Sequence, residues 1–181
     1  MFGGKNSVMG ESTQFRCPEC GYDFAAFTGV GFAFPRVYAE TVSKMKRGRL
    51  GTTAKRFFEE HPDGAISCEN IVMKCQKCGE YDSRESLAMY VPKEGFAHQV
   101  PEGIWAFAAP FEGSDYVSPD ELEVCYDLYA EYPHRCRNCR GKMKPAEIFS
   151  VDEYGNETLI RPLVCPHCGA EMEEYLHSFW D

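Results

Sequence analysis

Behind the first cysteine pair the chain alternates. Tyr22 and Phe24 are interleaved with Asp23 and Ala25, Thr28-Gly29 supplies a turn, and Val30, Phe32 and Phe34 are interleaved with Gly31 and Ala33. Successive side chains of a strand point to opposite faces, so this pattern predicts a hairpin that leaves the cysteines and returns. Gly31 and Ala33 would keep one face of it thin enough for close packing. Pro35 ends the strand and the period then lengthens. Tyr38, Val42 and Met45 stand at helical spacing and Gly48 stops the helix. "TTAKRFFEEHPDG" predicts a second helix with a threonine cap, Phe57 and Phe58 on its buried side, and a Pro-Asp-Gly end.

Further on, "AISCENIVMKC" and "SRESLAMYVP" read as strands on either side of the second cysteine pair. Residues 93–119 hold three prolines and three glycines around "IWAFAAPF", and with Trp105, Phe107 and Phe111 they suggest an ordered linker rather than a free tether. "ELEVCYDLYAEYPHRC" then leads into the third pair. Between the third and fourth pairs, Ile148 and Val151 run into "DEYGNE" and Leu159 to Val164 run out, a hairpin about a Tyr-Gly-Asn turn. The tail "EEYLHSFWD" suits a strand or a short helix. Residues 1–14 are small and polar and read as a loose tail without the basic start and apolar stretch of a secretory signal. No run of about 18 apolar residues appears, so no membrane span is expected.

Cysteine changes the picture most. Ten of the 181 residues are cysteines, and eight fall in four Cys-x-x-Cys hooks: Cys17/Cys20, Cys75/Cys78, Cys136/Cys139 and Cys165/Cys168. Cys68 and Cys125 stand alone in apolar stretches and read as core thiols. Paired cysteines without an export signal point to thiolate metal sites in a reducing cytosol, so the expected location is cytoplasmic. Zinc takes four tetrahedral ligands, so four hooks make two sites. The hairpin between Cys139 and Cys165 favours sequential pairing. Cys17, Cys20, Cys75 and Cys78 would form one site and Cys136, Cys139, Cys165 and Cys168 the other, with an interleaved cross-brace as the alternative.

The hooks and their flanks, "CPECGYDF", "CQKCGEY", "CRNCRGKM" and "CPHCGAEM", resemble the zinc-ribbon class, here as two tandem ribbons. The resemblance covers about a quarter of the chain. It implies structural zinc, two ions per chain, and says little about activity. The expected fold is small, metal-stabilised α+β. A tail over 1–14 precedes a first ribbon over 15–92 with a helical-pair insertion, a linker over 93–119 and a second ribbon over 120–181. The first hook also resembles the start of a rubredoxin, which would imply iron, but "CQKCG" lacks that pattern's proline and the insertion between hooks is long.

Charge refines the function classes. The formal net charge is −9, yet residues 36–56 carry seven Lys/Arg against one Glu, and residues 134–144 carry five and no acid. The first island reads as a solvated helix face, with phosphate contact as its alternative. The second island, with Lys74 and Lys77, reads as offsetting the formal −2 of a zinc tetrathiolate, with a ribbon tip that reads RNA or DNA as its alternative, though "HRCRNCRGKMK" lacks interleaved stacking aromatics. "GVGFAFPR" lacks the glycine spacing and Lys-Ser/Thr of a phosphate loop. A catalytic zinc keeps a position open for water, whereas four-cysteine sites are closed. His61, His98, His134, His167 and His177 form no short metal motif. The sequence therefore points to a structural-zinc interaction module with a protein partner. A nucleic-acid-associated factor and a rubredoxin-like electron carrier are the alternatives, and no catalytic residue is expected.

Overall fold

A computed structural model of the protein describes residues 10–31, 33–99, 115–146, 148–151, 157–159 and 162–180. Most of the linker aromatics and the Tyr-Gly-Asn turn lie outside these residues. The chain divides into two compact units, each built from separate stretches. Unit 1 comprises residues 1–31, 69–85 and 133–181, and unit 2 comprises 32–68 and 86–132. All four hooks belong to unit 1, and unit 2 is made from the two excursions the chain takes between them. No helix among the described residues is long and apolar enough to cross a membrane.

Unit 1 repeats one plan twice. Strand β1 (Glu11–Arg16) and β2 (Asp23–Thr28) form an antiparallel hairpin with the first hook at its tip. Strand β4 (Asn70–Cys75) and β5 (Tyr81–Glu85) do the same around the second hook. A third strand completes each sheet by pairing with the first strand of the hairpin. β8 (Met143–Pro145) leaves the third hook and adds to β4 with Cys75 opposite Met143. β11 (Glu173–Phe179) leaves the fourth hook and adds to β1 with Arg16 opposite Glu173. The sheet orders are β5-β4-β8 and β11-β1-β2. The hairpin expected between the third and fourth hooks is present as β9 (Phe149–Val151) and β10 (Glu157–Leu159).

Three features differ from the sequence pattern. The hairpin partner of β2 is β1, upstream of the hook, so residues 11–14 are strand rather than tail. "ESTQFR" is too polar to announce itself, yet Ser12, Thr13 and Phe15 are buried. Among the described residues of the expected return strand at 30–34, Gly31 and Ala33 are not strand and Phe34 begins α1 (Phe34–Lys46), with Pro35 in its first turn, where a fixed φ suits a helix. Finally, the two strand-like runs around the second hook are each broken between units. Ala65–Ile66 (β3) and Met89–Pro92 (β6) belong to unit 2, whereas β4 and β5 belong to unit 1.

Two apolar clusters pack unit 1, a small one of Met73 and Met143 around Cys75 and Cys136 and a larger one. In the larger, Phe15, Phe24, Ala26, Val72, Tyr81, Ile148, Leu163 and Met172 surround Cys17 and Cys165. Trp180 closes the end of the β11-β1-β2 sheet, its indole N–H donating to the carbonyls of Glu11 at 2.8 Å and Thr28 at 3.2 Å. A Cβ at Gly10 would run into the indole ring, so a glycine is needed there for the tryptophan to lie flat against the backbone.

Unit 2 is the helical part. α1 packs with α2 (Thr52–Glu60), and a second edge is built by α3 (Pro119–Cys125) leading into β7 (Tyr126–Ala130). Its sheet order is β3-β6-β7. Met45, Ala54, Phe57 and Ile66 are at most 2% exposed, a conventional apolar core. Gly51, at φ 100°, stands where a threonine cap was expected for α2, and no side chain caps that helix. α3 is better terminated: the Ser118 hydroxyl accepts from the Glu121 N–H at 3.2 Å, and Asp120 and Glu121 lie in its first turn.

Candidate metal centres

Each hook is the same turn. The first cysteine's N–H donates to the carbonyl five residues on, and the residue four on donates back to the first cysteine's carbonyl. These bonds are Cys17 to Tyr22 at 2.8 Å and Gly21 to Cys17 at 3.0 Å, and Cys75 to Glu80 at 2.8 Å and Gly79 to Cys75 at 3.1 Å. The other two hooks give Cys136 to Gly141 at 2.9 Å and Arg140 to Cys136 at 3.0 Å, and Cys165 to Ala170 at 2.8 Å and Gly169 to Cys165 at 3.0 Å. The turn drives the residue after the second cysteine into the left-handed region. Gly21, Gly79 and Gly169 occupy it at φ 73°, 79° and 79°. In the third hook, Arg140 must take φ 61° instead.

The hooks converge in two groups of four sulfurs, in each of which the ligand atoms lie within 4.8 Å of one another. Cys17 and Cys20 meet Cys165 and Cys168, while Cys75 and Cys78 meet Cys136 and Cys139. Sulfur separations include 3.4 Å for Cys17–Cys168, 3.5 Å for Cys20–Cys165, 3.4 Å for Cys75–Cys139 and 3.7 Å for Cys78–Cys136. Four thiolates about 2.3 Å from a central zinc define a tetrahedron with edges of about 3.8 Å, so both groups fit a tetrahedral tetrathiolate ion. None of the ten cysteines forms a disulfide, and Cys68 and Cys125 lie outside both groups.

The pairing is thus nested, first hook with fourth and second with third, and corrects the sequential expectation. The third strands decide it. β8 carries the third hook to β4 and β11 carries the fourth hook to β1, so the two hooks flanking the β9–β10 hairpin go to different centres. Locality offers little resistance. Joining Cys20 to Cys165 rather than to Cys75 lengthens the closed loop from 55 to 145 residues, which costs about 1 kcal/mol of loop entropy, less than a strand pairing and a shared core return.

The donor set calls for a cation. At Cys75, donation from the Cys78 N–H and then from Lys77, against opposing burial, brings the thiol down to about 6. At Cys165, burial is the largest influence and pushes upward. The N–H groups of His167 and Cys168, with the thiols of Cys20 and Cys168, bring it down to about 6 all the same. Their neighbours move the other way. The N–H of Tyr22 pulls Cys20 down, but burial and the adjoining thiols carry it up to about 12. Cys78 likewise reaches about 12, because Cys139, burial and the other sulfurs outweigh the N–H of Glu80. Crowded sulfurs cannot all ionise unaided, and a divalent ion at the centre favours the charged form of all four.

The two centres differ in their surroundings. The second is flanked by Lys74, Lys77 and the five cations of residues 135–144, while the first has Glu19, Glu171, Glu173 and Glu174 near its hooks. Part of the second island is held in place: Arg137 lies 3.4 Å from Asp82, and Arg84 donates to the Arg135 carbonyl at 2.9 Å. Gly141 brings backbone tight against this centre, since a Cβ there would fall 2.8 Å from Lys77 Cβ and 3.0 Å from Cys75 Sγ.

The histidines stay outside both sulfur groups. His167, inside the fourth hook, bonds Glu80 at 2.8 Å. His177 is 3.4 Å from Glu11, His61 packs on Phe57 and Tyr129, and His134 is buried. His98 bridges Glu121 at 2.7 Å and Asp115 at 2.8 Å. Burial alone would lower its pKa, but the two carboxylates raise it overall. It lines a cleft of about 510 Å³ in unit 2 together with Tyr38, Val42, Phe96 and Tyr126. Both ring nitrogens are already engaged, which leaves neither for acid–base work on a molecule in the cleft. The role of Glu80 was not legible in the sequence, since "CGEY" looks like an ordinary hook exit.

No known family model, curated protein or solved structure matches the chain.

Nested pairing makes a direct prediction for Cys165→Ser. Amide shifts should concentrate on residues 15–24 and 163–172, and metal should remain at Cys75, Cys78, Cys136 and Cys139; perturbation centred on residues 134–144 would contradict it. Arg140→Gly tests the strained hook. Relief of a left-handed arginine should raise stability by up to about 1 kcal/mol in denaturant unfolding of the metal-loaded protein.

Proposed function

We propose that the chain is a binding module in which two structural zinc ions hold unit 1 together and a protein partner is engaged from its surface. The observation that carries this reading is the convergence of all eight paired cysteines into two four-sulfur groups. A tetrathiolate site leaves no coordination position for water or substrate, so its contribution is to folding rather than to chemistry. Zinc suits it as a redox-silent tetrahedral ion; four thiolates also accept iron. Each sulfur group joins a hairpin, a second hook and a third strand, and these two modules resemble zinc ribbons, one nested within the other.

The open edge of β11 is the best-formed place for a protein partner. All seven residues of β11 are exposed, with Tyr175 at 51%, Leu176 at 53% and Phe179 at 64%. The strand pairs on one side with β1 and is the edge of its sheet. An edge with free backbone groups and apolar side chains accepts an added strand. Elemental analysis of purified protein should give about two zinc ions per chain. It should be colourless, and Cys68→Ser should leave the metal content unchanged. One ion per chain, or the red of a ferric tetrathiolate, would overturn the reading.

The turn between α1 and α2 favours a second reading, contact with nucleic-acid phosphates. Lys44, Lys46, Arg47, Arg49, Lys55 and Arg56 are all exposed around it, and no acid occurs from 41 to 58. Lys55 pairs with Glu59 at 3.5 Å and Lys46 lies over the Phe58 ring, 5.1 Å from its centroid. Tyr132 pins the turn by donating to the Leu50 carbonyl at 2.8 Å. The acidic balance of the chain opposes a polyanion, but screening confines that repulsion to about 8 Å at physiological salt. Anisotropy with labelled single- and double-stranded RNA and DNA separates the readings. The first predicts no micromolar binding at physiological salt. The second predicts such binding, with a log–log salt slope reduced by about 2 to 3 on reversing Arg47, Arg49 and Arg56 to Glu.

A further inference from the structure

Glu80 is the second residue beyond the second hook, yet its side chain serves the other centre. One carboxylate oxygen accepts from the Tyr22 hydroxyl at 2.9 Å, and the other lies 2.8 Å from His167 Nε2. Tyr22 follows the first hook by two residues and His167 lies within the fourth, so a single carboxylate ties together the two hooks that make the first centre. The Tyr22 and His167 rings also pack on each other, with centroids 4.5 Å apart. At the same time the Glu80 backbone is part of the second hook, because its carbonyl accepts from Cys75 N–H at 2.8 Å.

The residues on either side reinforce the junction. The Tyr81 hydroxyl donates to the carbonyl of Val164, immediately before Cys165, at 3.3 Å. A Cβ on Gly79 would lie 3.4 Å from Pro166 Cβ. Glu80 and Tyr81 therefore bond residues in or next to the fourth hook, Gly79 lies close to it, and Glu80 reaches the first as well. All these groups belong to unit 1.

Resting on the reading of both sulfur groups as metal centres, we infer that Glu80 is a positioning residue for the first centre and couples the loading of the two. Closing the second hook on an ion fixes the Gly79–Tyr81 turn, which places the Glu80 carboxylate. The placed carboxylate aligns Tyr22 and His167 and thereby holds Cys17/Cys20 opposite Cys165/Cys168. Ordering that the second ion has already brought about need not be repeated when the first centre fills, so its affinity rises; by linkage, the first ion raises the affinity of the second by the same factor.

The test is a stepwise titration of the metal-stripped full chain with Co²⁺, whose thiolate absorption reports each site, backed by ¹¹³Cd NMR to resolve the two centres. Wild type should fill both centres over a narrow range of added metal, as mutual strengthening requires. Glu80→Ala should lower the affinity of the Cys17/Cys20/Cys165/Cys168 centre by about tenfold or more while its four cysteines remain. Glu80→Gln, with one carbonyl oxygen as acceptor, should fall between. A merely local packing defect is distinguished by a double-mutant cycle. In a background of Cys136→Ser and Cys139→Ser, Glu80→Ala should cost the first centre markedly less than it does when the second centre is loaded. If that background does not fold, ¹¹³Cd titration of the single variant serves instead: two resonances that fill further apart than in wild type support the coupling, and an unchanged separation refutes it. Two metal ions bound with an unchanged first-centre affinity in Glu80→Ala would refute the role of Glu80. Failure to bind two ions at all would refute the metal reading itself.

Discussion

Four sulfurs within a few ångströms of one another are unstable company unless a cation sits among them, and this constraint organises the whole of unit 1. A hook supplies two ligands from one tight turn but cannot complete a tetrahedron, so each hook must find a partner. In this chain the partners are brought together by third strands, β8 onto β4 and β11 onto β1. Sheet hydrogen bonds, the shared apolar cluster and the sulfur geometry thus agree on one arrangement. Such agreement across levels is what gives a small, metal-dependent fold a single answer.

The same constraint explains why the chain can leave unit 1 twice without losing it. Each excursion departs from a hairpin whose tip is secured by a hook; the first returns to β4, which leads into the second hook, and the second returns directly ahead of the third hook. Unit 2 follows a different physical logic. It holds neither sulfur group, and its interior of Met45, Ala54, Phe57, Phe58 and Ile66 is stabilised by apolar burial. The handover is sharp. Between β5 and β6, Leu87 takes φ 55° while its N–H bonds to the Ser67 carbonyl at 2.8 Å, a left-handed conformation accepted at a crossing point by a buried leucine.

The two centres share a plan but not a setting. The hooks of the second are flanked in sequence by more cations and those of the first by more acids, although both present four thiolates. A tetrathiolate zinc carries formal −2, so its surroundings affect how readily the sulfurs give up their protons. With such an ion bound, the basic residues at 135–144 would offset its charge without any external polyanion; Asp82 pairs with Arg84 and Arg137 beside them. The cations of the α1–α2 turn belong to unit 2, which holds neither sulfur group, and this is why they carry the nucleic-acid alternative.

Much was legible in the sequence because it was local. Cys-x-x-Cys spacing with a following glycine specifies a hook, helical spacing of Tyr38, Val42 and Met45 specifies α1, and Phe57 with Phe58 specifies the buried side of α2. These depend on residues within one or two turns of each other, and the structure places them accordingly. The eight paired cysteines were likewise visible as a set, and the tail was legible as a possible strand. What the sequence left open was every decision that compares distant segments. Nothing in "ESTQFR" marks it as the strand between β2 and β11, and nothing in "MKP" assigns it to β4. A strand's partner is set by register, shared core and third-strand geometry, whose net gain exceeds the small entropy advantage of pairing neighbours. Hence the sequence determined that there would be four hooks and two sites, while the tertiary structure alone decided that the sites are nested and that Glu80 of one reaches into the other.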